Sequence, residues 1–130
     1  RVLGPPPLDE LAELGADVLK IEHPGTGGDV TRTWKLRTED PAATTSAYFA
    51  AANWGKTSRR LDLTQPPGRA ILAELAREAD IIIASYKPGD AEKLGADFAP
   101  LSAQNAGLIY AHITGYGPDS ARAGYDAVLQ

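Results

Sequence analysis

LAELGADVLKIEHPG (residues 11–25) and LAELAREADIIIASYKPG (residues 72–89) read alike: amphipathic helix, aspartate, apolar strand, Pro-Gly turn. In the first, Leu8, Leu11 and Leu14 recur at three-residue spacing among Asp9, Glu10 and Glu13. That pattern predicts a short helix with its acids near the N-terminus and Gly15 as its C-terminal cap. A partly β-branched run then extends from Asp17 to Glu22, and His23-Pro24-Gly25 breaks it. In the second, Pro66 and Pro67 start a helix whose buried face is Ile71, Leu72 and Leu75. The isoleucine run of residues 80–84 predicts a fully buried strand. Two copies are too few for a solenoid, but the order helix–strand–helix–strand predicts a parallel α/β architecture.

Working outward, residues 26–44 are polar and read as a long loop, and residues 45–53 as a short helix. Residues 59–63 alternate charged and apolar side chains as a strand does. Short helices are expected over residues 90–94 and 101–105, a further strand over 108–114, and a loop over the glycine-rich residues 115–124. All of this fits one domain spanning residues 1–130. In open parallel sheets ligands sit beyond the carboxyl ends of the strands. Those ends are residues 23–29, 85–89 and 115–124, and glycine and proline concentrate at all three. This is the predicted ligand edge.

Composition narrows the function classes. With 130 residues, 43% apolar and 23% charged, the chain has the make-up of one folded domain and not of a disordered segment. No window approaches the ~18 uninterrupted apolar residues of a membrane span, and residues 1–7 lack the apolar core of a signal peptide. A net charge of −4 argues against a nucleic-acid partner. The absence of cysteine excludes disulfides and zinc–thiolate sites, and the cytoplasm is the default location. There is no methionine, even at position 1, and the chain stops just after the apolar run 127–129, so a fragment is expected.

Candidate chemistry is sparse. His23 and His112 are the only histidines and share no metal-binding spacing, so no metal is expected. His112, inside an apolar strand, reads as a hydrogen-bonded structural residue, whereas His23, at a strand end, is a candidate ligand contact. There is no G-x-S-x-G element and no cysteine nucleophile. The negative charge is uneven: residues 9–22 carry five acids and one lysine, while residues 53–60 carry Lys56, Arg59 and Arg60 with no acid. Such a basic patch beside a glycine-rich edge suits a small polyanion such as a phosphorylated nucleotide. A solvated strand edge is the alternative, and charge alone favours it. Gly25-Thr26-Gly27-Gly28 can present backbone N–H groups to phosphate, although it matches neither the Walker nor the dinucleotide pattern. Trp34, Tyr48, Tyr86 and Tyr116 fit rim or core aromatics as well as base-stacking platforms.

Several stretches, in order, resemble the family III coenzyme A transferases, the superfamily of formyl-CoA, carnitine and dicarboxylate CoA-transferases and α-methylacyl-CoA racemase. They are Gly4-Pro5, residues 11–34, 48–68, 79–95 and 108–118, and the closing RAGYD of residues 122–126. The resemblance implies an α/β fold: a Rossmann-like parallel sheet with flanking helices, incomplete at both ends. It implies an enzyme with no prosthetic group, whose substrates are coenzyme A or acyl-CoA and a carboxylic acid, and which forms interlocked homodimers. His23 falls where the family usually has an arginine contacting the CoA nucleotide. Leu61, Asp62, Leu63 and Thr64 match an LDLK-like CoA segment, with Thr64 in place of the lysine. Ser85, Tyr86 and Lys87 match a strand-end stretch, and Lys93 falls on a basic CoA contact. Thr114, Gly115 and Tyr116 match the next strand end, and Gly124 and Tyr125 lie near the thioester.

Tyr125 separates the subclasses, because the racemases carry a histidine there to move an α-proton. The transferases instead use an aspartate nucleophile, passing through a mixed anhydride and an aspartyl-CoA thioester. The resemblance puts that aspartate past Gln130, leaves Asp126 a structural role, and implies no catalytic residue in this chain. The wording of residues 31–34 and 122–126 is most like the dicarboxylate branch. A fragment of an acyl-CoA racemase, or a non-catalytic remnant that binds coenzyme A or a partner chain, are the alternative readings.

Overall fold

The computed structural model describes residues 1–4, 9–120 and 122. Its strands are β1 (Val2–Leu3), β2 (Val18–Glu22), β3 (Thr57–Arg60), β4 (Ile81–Ala84) and β5 (Ile109–His112). Between them lie helices α1 (Asp9–Glu13), α2 (Ala47–Ala52), α3 (Pro66–Arg77), α4 (Asp90–Lys93) and α5 (Phe98–Ser102). The five strands form one sheet in the order β3-β2-β1-β4-β5, with every pairing parallel. The chain steps outward from β1 to β2 to β3, and α3 then carries it back to β4 on the other side of β1. That reversal is the switch point where doubly wound sheets open a crevice for ligands.

Register explains the core. Leu19, Leu3, Ile82 and Tyr110 lie in one row across the sheet. On that face Leu3, Leu19 and Ile82 pack with Leu72 and Ala76 of α3 and Leu101 of α5, and Tyr110 closes the row. Because side chains alternate faces along a strand, Val18, Lys20 and Glu22 point the other way from Leu19 and Ile21. They are nonetheless buried, the lysine and glutamate included.

The helix–strand repeat forms as expected, with instructive shifts. Gly15 ends α1 at φ +95°. Gly15 N–H donates to Ala12 O (3.0 Å) and Ala16 N–H to Leu11 O (2.9 Å), a Schellman closure. The closure turns Leu14 outward, so this leucine is 85% exposed instead of joining the expected stripe. The loop of residues 26–44 contains a 3-10 turn at Val30–Thr33, just after another at Pro24–Thr26. The strand expected over 59–63 lies earlier, as β3, because Asp62 accepts from Thr64 N–H (2.9 Å) and turns the chain toward α3. Leu61 and Leu63 keep their alternation by entering the core from that turn. Likewise α5 begins at Phe98 and not at residue 101. Finally, β4 is not buried on both faces: Ile82 and Ala84 are buried, but Ile81 and Ile83 only partly.

Candidate coenzyme A edge

All five strands point the same way, so the segments that follow them share one edge of the sheet. His23 follows β2, residues 61–64 follow β3, residues 85–87 follow β4 and residues 114–116 follow β5. Beneath that edge is a cavity of about 220 Å³ lined by Leu3, Gly4, Ile21, Leu63, Ser85 and Tyr86 among others. It sits where β1 and β4 adjoin, at the switch point of the sheet.

His23 and Asp62 meet here. The ring accepts the Gly25 N–H at Nδ1 (3.0 Å), capping the 3-10 turn, while Nε2 lies 3.4 Å from Asp62 Oδ1. The same carboxylate oxygen accepts from Thr64 N (2.9 Å) and Thr64 Oγ1 (2.5 Å). Hydrogen bonding from Thr64, with His23 adding to it, holds the Asp62 carboxyl below its ordinary pKa. His23 and Thr64, the two positions that the resemblance singles out, therefore converge on one acid. Leu61 and Leu63 are buried, so only their backbone is available to a ligand. Gly68, in the first turn of α3, lets that helix approach: a Cβ there would stand 2.0 Å from Asp62 O.

Across the switch point, Ser85 is exposed and Tyr86 is half-buried, and burial pushes the Tyr86 phenol pKa up. His112 ties the β4 and β5 ends together, with Nε2 3.0 Å from Tyr86 O and 3.4 Å from Tyr86 N. That is the structural role expected of it, at an exposed and not a core position. Lys87 is exposed, and Lys93 pairs with Asp90 at 3.1 Å on α4. Thr114 Oγ1 accepts the Gly117 N–H (2.9 Å), and the Arg122 guanidinium lies 4.3 Å from the Tyr116 ring centroid. Gly115 is exposed, and Gly124 and Tyr125 lie outside the described residues. Trp34 packs on Tyr48 with ring centroids 5.2 Å apart, both rings half-exposed. The exposed β3 edge carries Arg59 and Arg60, and Arg60 Nη2 donates to Gly27 O (3.3 Å).

The sequence reading passed over a second set of charged residues. On the opposite face of β2, Glu22 receives Arg32 through Nε–Oε2 (2.9 Å) and Nη2–Oε1 (2.7 Å), and accepts Asp29 N–H (2.8 Å). Lys20 pairs with Asp29 and donates to Asn53 Oδ1 (3.0 Å). Asp29 in turn accepts from Thr31 N (2.8 Å) and Thr31 Oγ1 (2.7 Å). The Phe49 ring of α2 backs the whole set, 3.8 Å from the Arg32 guanidinium carbon. Arg32 hydrogen bonds lower the Glu22 pKa to about 2 although its burial works the other way. Gly28 makes this possible, since at φ +102° a Cβ would stand 2.2 Å from Glu22 Oε2. The network fastens residues 23–34 to β2 and so fixes where His23 leaves the sheet. A signal was present: Lys20 and Glu22 share strand parity, and Asp29 and Arg32 supply the opposite signs after the glycines. Among the described residues no cluster of His, Asp and Glu could hold a metal, and no helix is long and apolar enough to cross a membrane.

The sequence profile of CoA-transferase family III matches residues 2–130. The chain belongs to that family. It is 42% identical to the succinate–glutarate CoA-transferase of Agrobacterium fabrum, over 100% of this chain and 34% of that protein. It is 40% identical to the human succinyl-CoA:glutarate CoA-transferase, over 98% of this chain and 29% of that one. The crystal structure of Rv3272 from Mycobacterium tuberculosis superposes with a TM-score of 0.81 at 32% identity, over 98% of this chain and 38% of that one. The family III chain thus spans about a third of the length of the relatives it matches. Its parallel sheet with flanking helices is the family fold.

Proposed function

We propose that this chain forms the coenzyme A-binding part of a transferase that moves coenzyme A between an acyl-CoA thioester and a carboxylic acid. The observation that carries the reading is that family-matching segments, far apart in sequence, end at one sheet edge around an apolar cavity. The apolar walls suit the thioester-bearing arm, and His23, the residue 61–64 turn, Lys87 and Lys93 supply the polar rim for the nucleotide. The backbone at Leu61 and Leu63, the strand end at Ser85 and Tyr86, and Thr114, Gly115 and Tyr116 complete that rim, and the family resemblance alone assigns Gly124 and Tyr125, outside the described residues, to the thioester. The names of the relatives favour a dicarboxylic acid as the acceptor.

Catalysis is assigned to an aspartate outside these 130 residues, whose carboxylate attacks the thioester and releases the coenzyme A thiolate. The thiolate then attacks the aspartyl carbonyl of the resulting anhydride, freeing the first acid and leaving an aspartyl-CoA thioester. The second acid's carboxylate then attacks that thioester and expels the thiolate, which attacks the acid's own acyl carbonyl in the new anhydride, giving the second acyl-CoA and returning the aspartate carboxylate. The whole enzyme is proposed to work as a homodimer in the cytoplasm. Calorimetric titration of the folded chain with coenzyme A tests the reading. Saturable binding that weakens with added salt is expected, and a folded chain that takes up no ligand overturns a self-contained site.

A further inference from the structure

Resting on the coenzyme A reading, we propose that residues 35–47 are a preformed lid, which closes as one body over the ligand edge when coenzyme A binds. Topology puts the loop there. β2 and β3 are parallel and α2 begins the return between them, so the chain from β2 to the start of α2 stays at the ligand edge. Anchored residues frame the loop on both sides. Arg32 is held by Glu22, and Phe49 of α2 backs the guanidinium. Ser46, only 1% exposed, donates to Thr31 O (2.7 Å) and accepts Phe49 N–H (2.9 Å). The Trp34 and Tyr48 rings close the base, with centroids 5.2 Å apart. Joined ends and internal bonding make this an Ω-loop.

Between those anchors the loop bonds only to itself. Among the described residues, the hydrogen bonds of residues 36–45 all stay within 35–47. The Lys35 ammonium donates to the carbonyls of Asp40 (2.9 Å), Pro41 (3.1 Å) and Ala43, which uses all of its protons. Glu39 spans the loop, accepting Leu36 N–H at one oxygen (2.9 Å) and Ala47 N–H at the other (2.7 Å). One cation and one anion thus fix its shape, while none of residues 35–45 is buried. A segment cross-linked within itself and without buried side chains can shift as a unit with little loss of packing. Trp34 supplies a hinge: at φ −79° and ψ 69°, with Lys35 N–H on Thr33 O (2.8 Å), it forms an inverse γ-turn. Apolar surface remains for closure to cover, since Val30, Trp34, Leu36 and Tyr48 are all more than half exposed. A lid here would exclude water from the thioester and slow the escape of the ligand.

The chain has no cysteine, so Thr38→Cys on the loop and Glu74→Cys on α3, both exposed, give a unique pair of spin-label positions. Distances between the labels are measured by pulsed electron paramagnetic resonance, without coenzyme A and at a concentration that calorimetry shows to be saturating. A narrow distribution that moves to a second narrow distribution is expected. With Lys35→Met added, the empty chain is expected to give a broad distribution, and coenzyme A to leave several-fold faster. If saturating coenzyme A leaves the distribution unchanged, the lid is overturned and the coenzyme A reading stands. If the ligand broadens the distribution, the loop does not move as one body and the inference fails. A Lys35→Met chain with the unmodified distribution and release rate overturns it likewise. A folded chain that takes up no coenzyme A overturns the coenzyme A reading itself, and the inference with it.

Discussion

Arg32 grips Glu22 through two parallel hydrogen bonds, 2.9 and 2.7 Å long, with the carboxylate side chain only 1% exposed. A charge so far from water is tolerable only while its partner is present. The pair joins the last residue of β2 to the 3-10 turn at residues 30–33, and between them runs the loop that starts at His23. A structural ion pair on one face of the sheet thereby sets the geometry of a candidate ligand contact at its edge.

Acid unfolding should report that pair. The Glu22 pKa is held at about 2, below its ordinary 4.5, chiefly by Arg32. A depressed folded pKa gives stability that is complete above the unfolded value and is lost as pH falls through the folded one. The window is therefore about pH 4.5 down to about 2, and the contribution is on the order of 3 kcal/mol. Urea unfolding across that range should show the decline in the unmodified chain and a flatter limb in Glu22→Gln, whose midpoint near neutrality is already lower.

Lys20 gives a second, independent test. Its side chain is 2% exposed, and it holds Asp29 and Asn53 on the face away from α3. Lys20→Met keeps the aliphatic volume but strands the Asp29 carboxylate, and is expected to cost roughly 3–5 kcal/mol. Lys20→Met with Asp29→Asn should recover much of that loss, because no buried charge remains unpaired. Thermal melts of the two singles and the double give the coupling, and simple additivity would contradict the pairing.

The fold was legible because its signals are local. The two helix–aspartate–strand–turn stretches, Gly15 as a cap and the prolines that open α3 each act within a few residues. The ligand edge followed from parallel topology alone. What escaped detection depended on partners distant in sequence. Asn53, the second partner of Lys20, lies thirty-three positions away, and nothing near the lysine announces it. Leu61 and Leu63 misled for the opposite reason, since burial at alternate positions mimics a strand even where Asp62 has turned the chain. The convergence of His23 and Thr64 on Asp62 needed coordinates.

Gly68→Ala should affect both packing and the edge. The added Cβ would stand 2.0 Å from the Asp62 carbonyl oxygen and 2.6 Å from its carbon, and backbone cannot yield as a flexible side chain can. Separation of α3 from the residue 61–64 turn is expected to cost about 1–3 kcal/mol. Because that turn carries Asp62, the variant should also bind coenzyme A more weakly at temperatures where it is still folded. Calorimetry beside urea denaturation checks both effects, and unchanged stability would contradict the close approach.

The last expectation concerns association. Val18, Val2, Ile81 and Ile109 form one row on the sheet face opposite α3, and along it burial runs out. Val18 is 1% and Val2 5% exposed, Ile81 is half-buried, and Ile109 is 61% exposed. Ile113, just past the β5 end, adds a side chain 47% exposed, and Ala111 between them is exposed as well. Parallel strands are ordinarily covered on both faces, so this half-bare apolar surface beside the β5 edge should drive the 130-residue chain to self-associate. Sedimentation velocity over a concentration series should show species heavier than the monomer. Ile109→Lys with Ile113→Thr should shift the distribution toward monomer without lowering the unfolding midpoint, since both side chains lie outside the packed core. A monodisperse monomer for the unmodified chain at every concentration would contradict the argument, because the isoleucines would then be covered by something other than a second copy.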